Sequence, residues 1–237
     1  INDRWGKVRG KHGGYFTTEY GAGFDDPDVL WEENRGIGMS FGFNREESLE
    51  DYNSAEHLIL MLVDTVSRGG NLLLDVGPTH DGRIPVIMEE RLAEIGRWLD
   101  VNGEAIYGSR RWAKDAQWSS GTMPEFTKEN HHTGTALTES TIRPKPGNAS
   151  REALFTRKGS TLFALSPGWP VGETFVIRNV TPSDASEVSL LGSQKNLAWK
   201  HVSNTIEIDL RGIGIHDLPC DYVFTFKLTH IKPHSTE

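Results

Sequence analysis

"SAEHLILMLVDTVSRGGNLLLDVGP", residues 54–78, decides the fold. Its first part reads as a helix, with Ser54 as N-cap and Leu58, Met61, Leu62, Thr65 and Val66 on one face. Gly69 or Gly70 ends it in the left-handed conformation that a C-cap prefers. "NLLLDVGP", 71–78, is a short, nearly continuous apolar run closed by Gly-Pro, which suits a parallel strand buried on both faces.

The same texture extends on both sides. "RGIGMSFGFN", 35–44, is glycine-rich with strand spacing at Ile37, Met39 and Phe41. A second helix is expected from Pro85, a good first-turn residue, with Ile84, Ile87, Met88, Leu92, Ile95 and Leu99 as its stripe and Gly103 as its end. Strand–helix–strand–helix predicts parallel α/β architecture over 1–112. Residues 113–150 are rich in Ser, Thr, Gly, Pro and Asn, lack periodicity, and read as a linker or insertion. From 151 to 237 the texture is all β. "EALFTRKGSTLFAL" is a hairpin around Lys158-Gly159, "TIEIDL" puts Ile206, Ile208 and Leu210 on one side, and "YVFTFKLTHI" does the same with Phe224, Phe226 and Leu228. Such strands predict an antiparallel sandwich.

Composition narrows the function classes. The 237 residues carry a net charge of −8 with Lys and Arg scattered, which argues against a nucleic-acid partner. No apolar run reaches the roughly 18 residues of a membrane helix. A single cysteine, Cys220, excludes an internal disulfide and a Cys-based zinc site. His131 and His132 are adjacent but lack carboxylate support, so neither metal nor cofactor is expected. The sequons at Asn148 and Asn179 read as chance unless the protein is secreted from a eukaryote. The chain begins at Ile1 with no signal peptide, which reads as processing or a piece of a longer chain, and its compartment stays unassigned.

"HGGYFTTEY", 12–20, sets one carboxylate, Glu19, among aromatics. Such a frame desolvates a carboxyl and raises its pKa, as a general acid needs; a hydrogen-bonded surface glutamate fits the stretch as well. Arg4 in "NDRWG" can hold sugar hydroxyls or form an ion pair with Asp3 or Glu19. The seven tryptophans fit either an ordinary core or a carbohydrate site.

In order, "INDRWG", "HGGYFTTEY", "WEENRGIGMSFGFN", "VSRGGNLLLDVGPTHDGRIP" and "RLAEIGRWLDVNGEAIYGSRRW" resemble the second half of the retaining α-L-fucosidases, glycoside hydrolase family 29. "ALFTRKGSTLFALSPGWP" and "YVFTFKLTHI" resemble that family's C-terminal β-sandwich. The resemblance implies that Glu19 is the general acid/base, that Arg4 contacts the fucose, and that Phe41 packs against the sugar's apolar side. Trp31, Trp5 and His12 are neighbours in matching motifs. The implied substrate is a fucosylated glycan or glycoside.

The resemblance also places the family's nucleophilic aspartate some tens of residues before "NDRWG", a region this sequence does not include. A retaining glycosidase needs two carboxyls about 5–5.5 Å apart, and a full (β/α)₈ barrel takes around 250 residues. The expectation is therefore a partial, half TIM-like barrel followed by the sandwich, with exposed edges covered by a homo-oligomer. Asp75 stands where the family usually has asparagine, at the C-terminal end of a barrel-type strand, and is the candidate substitute nucleophile. Asp3, Asp25 and Asp26 are weaker candidates.

Overall fold

In the computed structural model the described residues are 2–4, 8, 14–21, 24, 26, 28–124 and 138–233, the side chains of 138 and 139 excepted. Trp5, His12, Asp25, His131 and His132 lie outside the described residues. The chain divides into two compact units, one of residues 1–97 and 121–150, the other of 98–120 and 151–237.

The first unit is built on a three-stranded parallel sheet, ordered β1 (Phe16–Glu19), β2 (Trp31–Gly36), β3 (Asn71–Asp75). Helix α1 (Ala55–Ser67) connects β2 to β3. Its start is capped as the sequence indicates, with Ser54 Oγ accepting from His57 N at 3.2 Å. Its end is a Schellman motif: Gly70 N donates to Thr65 O, Gly69 N donates to Val66 O, and Gly69 takes φ 89°. The buried stripe is broader than the periodicity predicts. Ile59 and Val63 are the deepest positions, and Leu62 and Val66 are half-buried, because the helix is enclosed on most of its sides.

Three further elements differ from expectation. Strand β2 ends at Gly36, so most of "RGIGMSFGFN" is a loop. A Cβ at Gly36 would lie 2.3 Å from Ser40 O, so glycine is what lets the chain fold back there. Helix α2 (Val86–Ile106) begins just after Pro85 but passes through Gly103 to Ile106, and Ile84 is exposed rather than part of its stripe. Arg110–Trp118, mostly inside the stretch read as linker, is strand β4 and pairs antiparallel with β5 (Arg151–Lys158). Its register is interrupted between Arg111 and Ala116, which hides the alternation that identifies a strand.

The second unit is an antiparallel sandwich. One sheet runs β4-β5-β6 (Thr161–Pro167)-β12 (Val223–Leu228)-β9 (Val188–Leu190); the other runs β10 (Trp199–Val202)-β11 (Thr205–Asp209)-β7 (Thr174–Arg178). A two-stranded ribbon pairs β13 (Ile231–Pro233) with β8 (Val180–Pro182). The inner faces share one core. Phe155, Leu162, Phe224, Phe226 and Leu228 from the larger sheet meet Phe175, Ile177, Ile206 and Ile208 from the smaller, with Phe175 and Phe226 ring centroids 4.8 Å apart. The β5–β6 hairpin turns at Gly159, whose φ of 56° is the positive value a two-residue hairpin loop needs.

Candidate active site

Register fixes which side chains share a side of the parallel sheet. Glu19 lies opposite Asn34, Asn34 opposite Leu73, and Gly36 opposite Asp75. Partners across a parallel ladder point the same way and side chains alternate along each strand. Thr17, Glu19, Asn34, Leu73 and Asp75 therefore share one side, and Trp31, Glu33, Arg35, Leu72 and Leu74 share the other. The second side faces α1: the Arg68 guanidinium sits 5.2 Å from the Trp31 ring centroid. Among the described residues the first side is open at Leu73, which is 48% exposed, and closed at Thr17, which is buried.

Glu19 is at the C-terminal end of β1 on that first side. Its Oε1 is 2.6 Å from Arg4 Nη1, and the two side chains are 46% and 44% exposed. Arg4 is held in turn: its Nε donates to Thr17 Oγ1 at 2.6 Å, and Thr17 donates both N and Oγ1 to buried Asp3 Oδ1, at 2.9 and 2.8 Å. Asp3 N donates to Tyr15 O at 2.9 Å beside a parallel bridge between Asn2 and Tyr15, so residues 2–3 run alongside the start of β1. The aromatic frame expected around Glu19 is thus replaced, on its described side, by a guanidinium and solvent.

The aromatics gather one residue later. Tyr20 takes φ 50°, which turns its ring toward Phe41 with centroids 5.1 Å apart. Its hydroxyl accepts from Gly36 N at 3.2 Å and donates to Met39 O at 3.4 Å, pinning the loop that carries Phe41. Ser40 N donates to Glu47 Oε1 at 2.7 Å, which holds that loop from the other side. Burial, then Glu47, pushes the Tyr52 hydroxyl's pKa up. Gly77 completes the seat: a Cβ there would lie 2.3 Å from Phe43 N.

Behind β1 and β2 a buried polar cluster braces the same turn. Glu33 accepts from Thr18 Oγ1, from Gly21 N at 3.0 Å and from Arg35 Nε at 2.7 Å. Arg35 also donates to Gly21 O at 3.2 Å and lies 5.1 Å from the Tyr20 ring centroid. Burial lowers the Arg35 pKa, and the Glu33 carboxylate opposes that shift.

The structure brings Glu19 and Arg4 into contact and sets Phe41 against Tyr20. It separates Trp31 from them. That indole is at the opposite end of β2, 1% exposed, under a glycine whose Cβ would lie 2.5 Å from its ring; it is a core residue here. Asp75 is two strands across and two positions further along than Glu19. With strands about 4.8 Å apart and a rise of about 3.3 Å per residue, the two Cα atoms are about 12 Å apart. Asp26 is exposed on a loop. Asp3 is spent on Thr17. Tyr20 belongs to the aromatic frame the sequence suggests, whereas the sequence does not single out Thr17, Glu33 and Arg35. Glu33 and Arg35 give no signal, because charged residues in a strand read as solvent-facing.

The family described as Alpha-L-fucosidase matches residues 1–104, and that described as Alpha-L-fucosidase C-terminal domain matches 148–229. The plasma alpha-L-fucosidase of Rattus norvegicus is 35% identical over 236 residues, 97% of this chain and 45% of the relative. An alpha-L-fucosidase of Dictyostelium discoideum is 49% identical over 198 residues, 78% of this chain and 42% of the relative. A crystal structure of Thermotoga maritima alpha-fucosidase in complex with fucose is 33% identical, covers 96% of this chain and 44% of its own, and superposes with a TM-score of 0.69. The chain thus spans less than half the length of these relatives. With both of the family's domains matched in order along one sequence, the chain belongs to the α-L-fucosidases, glycoside hydrolase family 29.

Proposed function

We propose that this chain supplies the acid/base side of a retaining α-L-fucosidase site, on a partial (β/α) barrel joined to a β-sandwich. Glu19 protonates the glycosidic oxygen as the leaving group departs, then takes a proton from the water that releases fucose. Arg4 orients the Glu19 carboxyl and contacts the sugar. The Phe41–Tyr20 pair forms the apolar wall against which the 6-deoxy side of fucose packs. The observation that carries this reading is the Arg4–Glu19 contact at the C-terminal end of a parallel strand, the end where barrel enzymes place their chemistry.

The nucleophile is the incomplete part. With Cα atoms about 12 Å apart along the sheet, the Asp75 and Glu19 carboxyls reach the roughly 5–5.5 Å that retention requires only if both side chains lean toward each other, and Glu19 is held instead against Arg4. The reading therefore assigns the nucleophilic carboxylate to a further polypeptide surface, on the same protein or on an associated copy, that covers the Glu19 side of β1–β3; the associated copy is the source that dilution tests. Light scattering and aryl α-L-fucoside turnover, measured together over a dilution series, test it. The expected result is an associated species and a rate per chain that falls on dilution. A monomer with a concentration-independent rate contradicts it.

A further inference from the structure

The sandwich unit holds a cavity of about 300 Å³ to which the fucosidase reading gives no role. It opens where β4 leaves its ladder. Arg111 pairs with Thr156 and the next pair is Ala116 with Leu154, so β4 advances 116 − 111 = 5 residues while β5 advances 156 − 154 = 2. Residues 112–115 give up regular strand pairing, and such bulges re-aim side chains, often beside functional sites. Here Trp112 and Lys114 line the cavity, as do Gln117 and Trp118 further along the strand. The opposite wall is Arg178 and Asn179, at the turn from β7 to β8. Asn179 holds a φ of 61°, so two local backbone irregularities meet at one cavity.

The wall is built rather than loose. Buried Gln117 donates to Val176 O at 2.7 Å and to Glu152 Oε2 at 3.1 Å, and its own oxygen accepts from Arg178 N at 2.8 Å. The Arg178 guanidinium donates to Trp118 O at 2.7 Å and pairs with Glu152. Arg151 stacks 5.1 Å from the Trp118 ring centroid. Asn179 accepts from Asn204 through its amide oxygen, at 3.1 Å, which leaves its NH₂ end to donate. Lys114 is exposed and has no ion pair among the described residues.

Indole surface bordered by ammonium, guanidinium and amide donors matches one chemistry well: a sugar ring, whose C–H faces pack on aromatics and whose oxygens accept hydrogen bonds. The volume is at the small end of ligand pockets, roughly 300–1,000 Å³, which limits the occupant to about one ring. We propose that this cavity is a saccharide-binding site holding a single sugar unit of a glycan, on the other unit from Glu19 and independent of it.

The test is capture of the 237-residue chain on a glycan array bearing neutral and acidic glycans. Lys114→Glu and Trp118→Ala are the site variants, and Arg4→Ala controls for binding at the first unit. Capture is expected in the parent chain and in Arg4→Ala, and at least roughly ten-fold weaker in both site variants. Turnover of an aryl α-L-fucoside by the site variants should equal that of the parent. If Trp118→Ala melts early, the exposed Lys114→Glu change decides alone. No captured glycan, capture that survives Lys114→Glu, or capture lost in Arg4→Ala overturns the proposal. The last outcome would assign the binding to the Glu19 site and leave the proposed fucosidase role standing.

Discussion

Arg4 Nη1 lies 2.6 Å from Glu19 Oε1, and the same guanidinium is fixed through Nε to Thr17 Oγ1 at 2.6 Å. Both partners of the ion pair are close to half exposed, so the pair contributes only about 0–1 kcal/mol to folding. Its consequence is positional. Arg4→Met should leave urea unfolding within about 1 kcal/mol of the parent, while kcat/KM on an α-L-fucoside falls roughly 100-fold through misplacement of the carboxyl. A large loss of stability with turnover intact would make Arg4 structural.

Gly77 seats the loop that carries Phe41. Gly77→Ala places a methyl 2.3 Å from Phe43 N, against backbone that cannot swing away. The expected cost is about 1–3 kcal/mol of stability, with a rise in KM for the fucoside as Phe41 shifts. Chemical denaturation and steady-state kinetics on one preparation read both.

The Glu33–Arg35 pair is buried, and removing Glu33 takes from Arg35 the carboxylate it bonds at 2.7 Å. Glu33→Ala should cost about 3–5 kcal/mol. Replacing both residues with apolar groups of similar volume should recover much of that loss, because neither charge is then stranded. If the double change is as unstable as the single, the Thr18 and Gly21 contacts of Glu33 matter more than the ion pair.

On the smaller sheet of the sandwich, hydrogen bonds from Arg211 lower the Asp209 pKa from 3.8 to about 2. A carboxyl whose folded pKa is depressed stabilises above its unfolded pKa, and that contribution is lost as pH falls through the folded value. Asp209→Asn should therefore lower stability slightly near neutrality and flatten the profile between about pH 4 and 2, so that the two proteins converge in acid. The Asp209–Arg211 pair is partly exposed, so the effect is small. Thermal melts of the two proteins over that range check it.

The run α1–β3–α2 was legible because local chemistry and tertiary structure agree there, whereas β1 and β2, with Glu19, Glu33 and Arg35 in them, were not. Ser54 caps α1, and Gly69 and Gly70 close it, as the residue types imply. The alternation in "TIEIDL" and "YVFTFKLTHI" likewise matches Ile206, Ile208, Phe224, Phe226 and Leu228 in the core. Strand β4 was not legible, because its irregular register breaks the two-residue period on which strand reading depends. Gly103 was misread as a stop because glycine in a helix costs only about 1 kcal/mol, which the packing of Asn102, Ala105 and Ile106 overrides. The Glu19–Arg4 contact spans fifteen residues and follows from strand pairing, so sequence supplied its members and not its geometry.

The role of Glu19 is tested most directly by leaving-group dependence in Glu19→Gln. Two α-L-fucosides are compared, one with an activated aryl leaving group that departs unaided and one with a sugar alcohol that needs a proton. The account predicts turnover of the second falling by roughly 100- to 10,000-fold, the usual contribution of general acid–base catalysis, while release of the activated aryl group is far less affected. Equal losses on both substrates, or no turnover of either by the parent chain in any state of association, would contradict it.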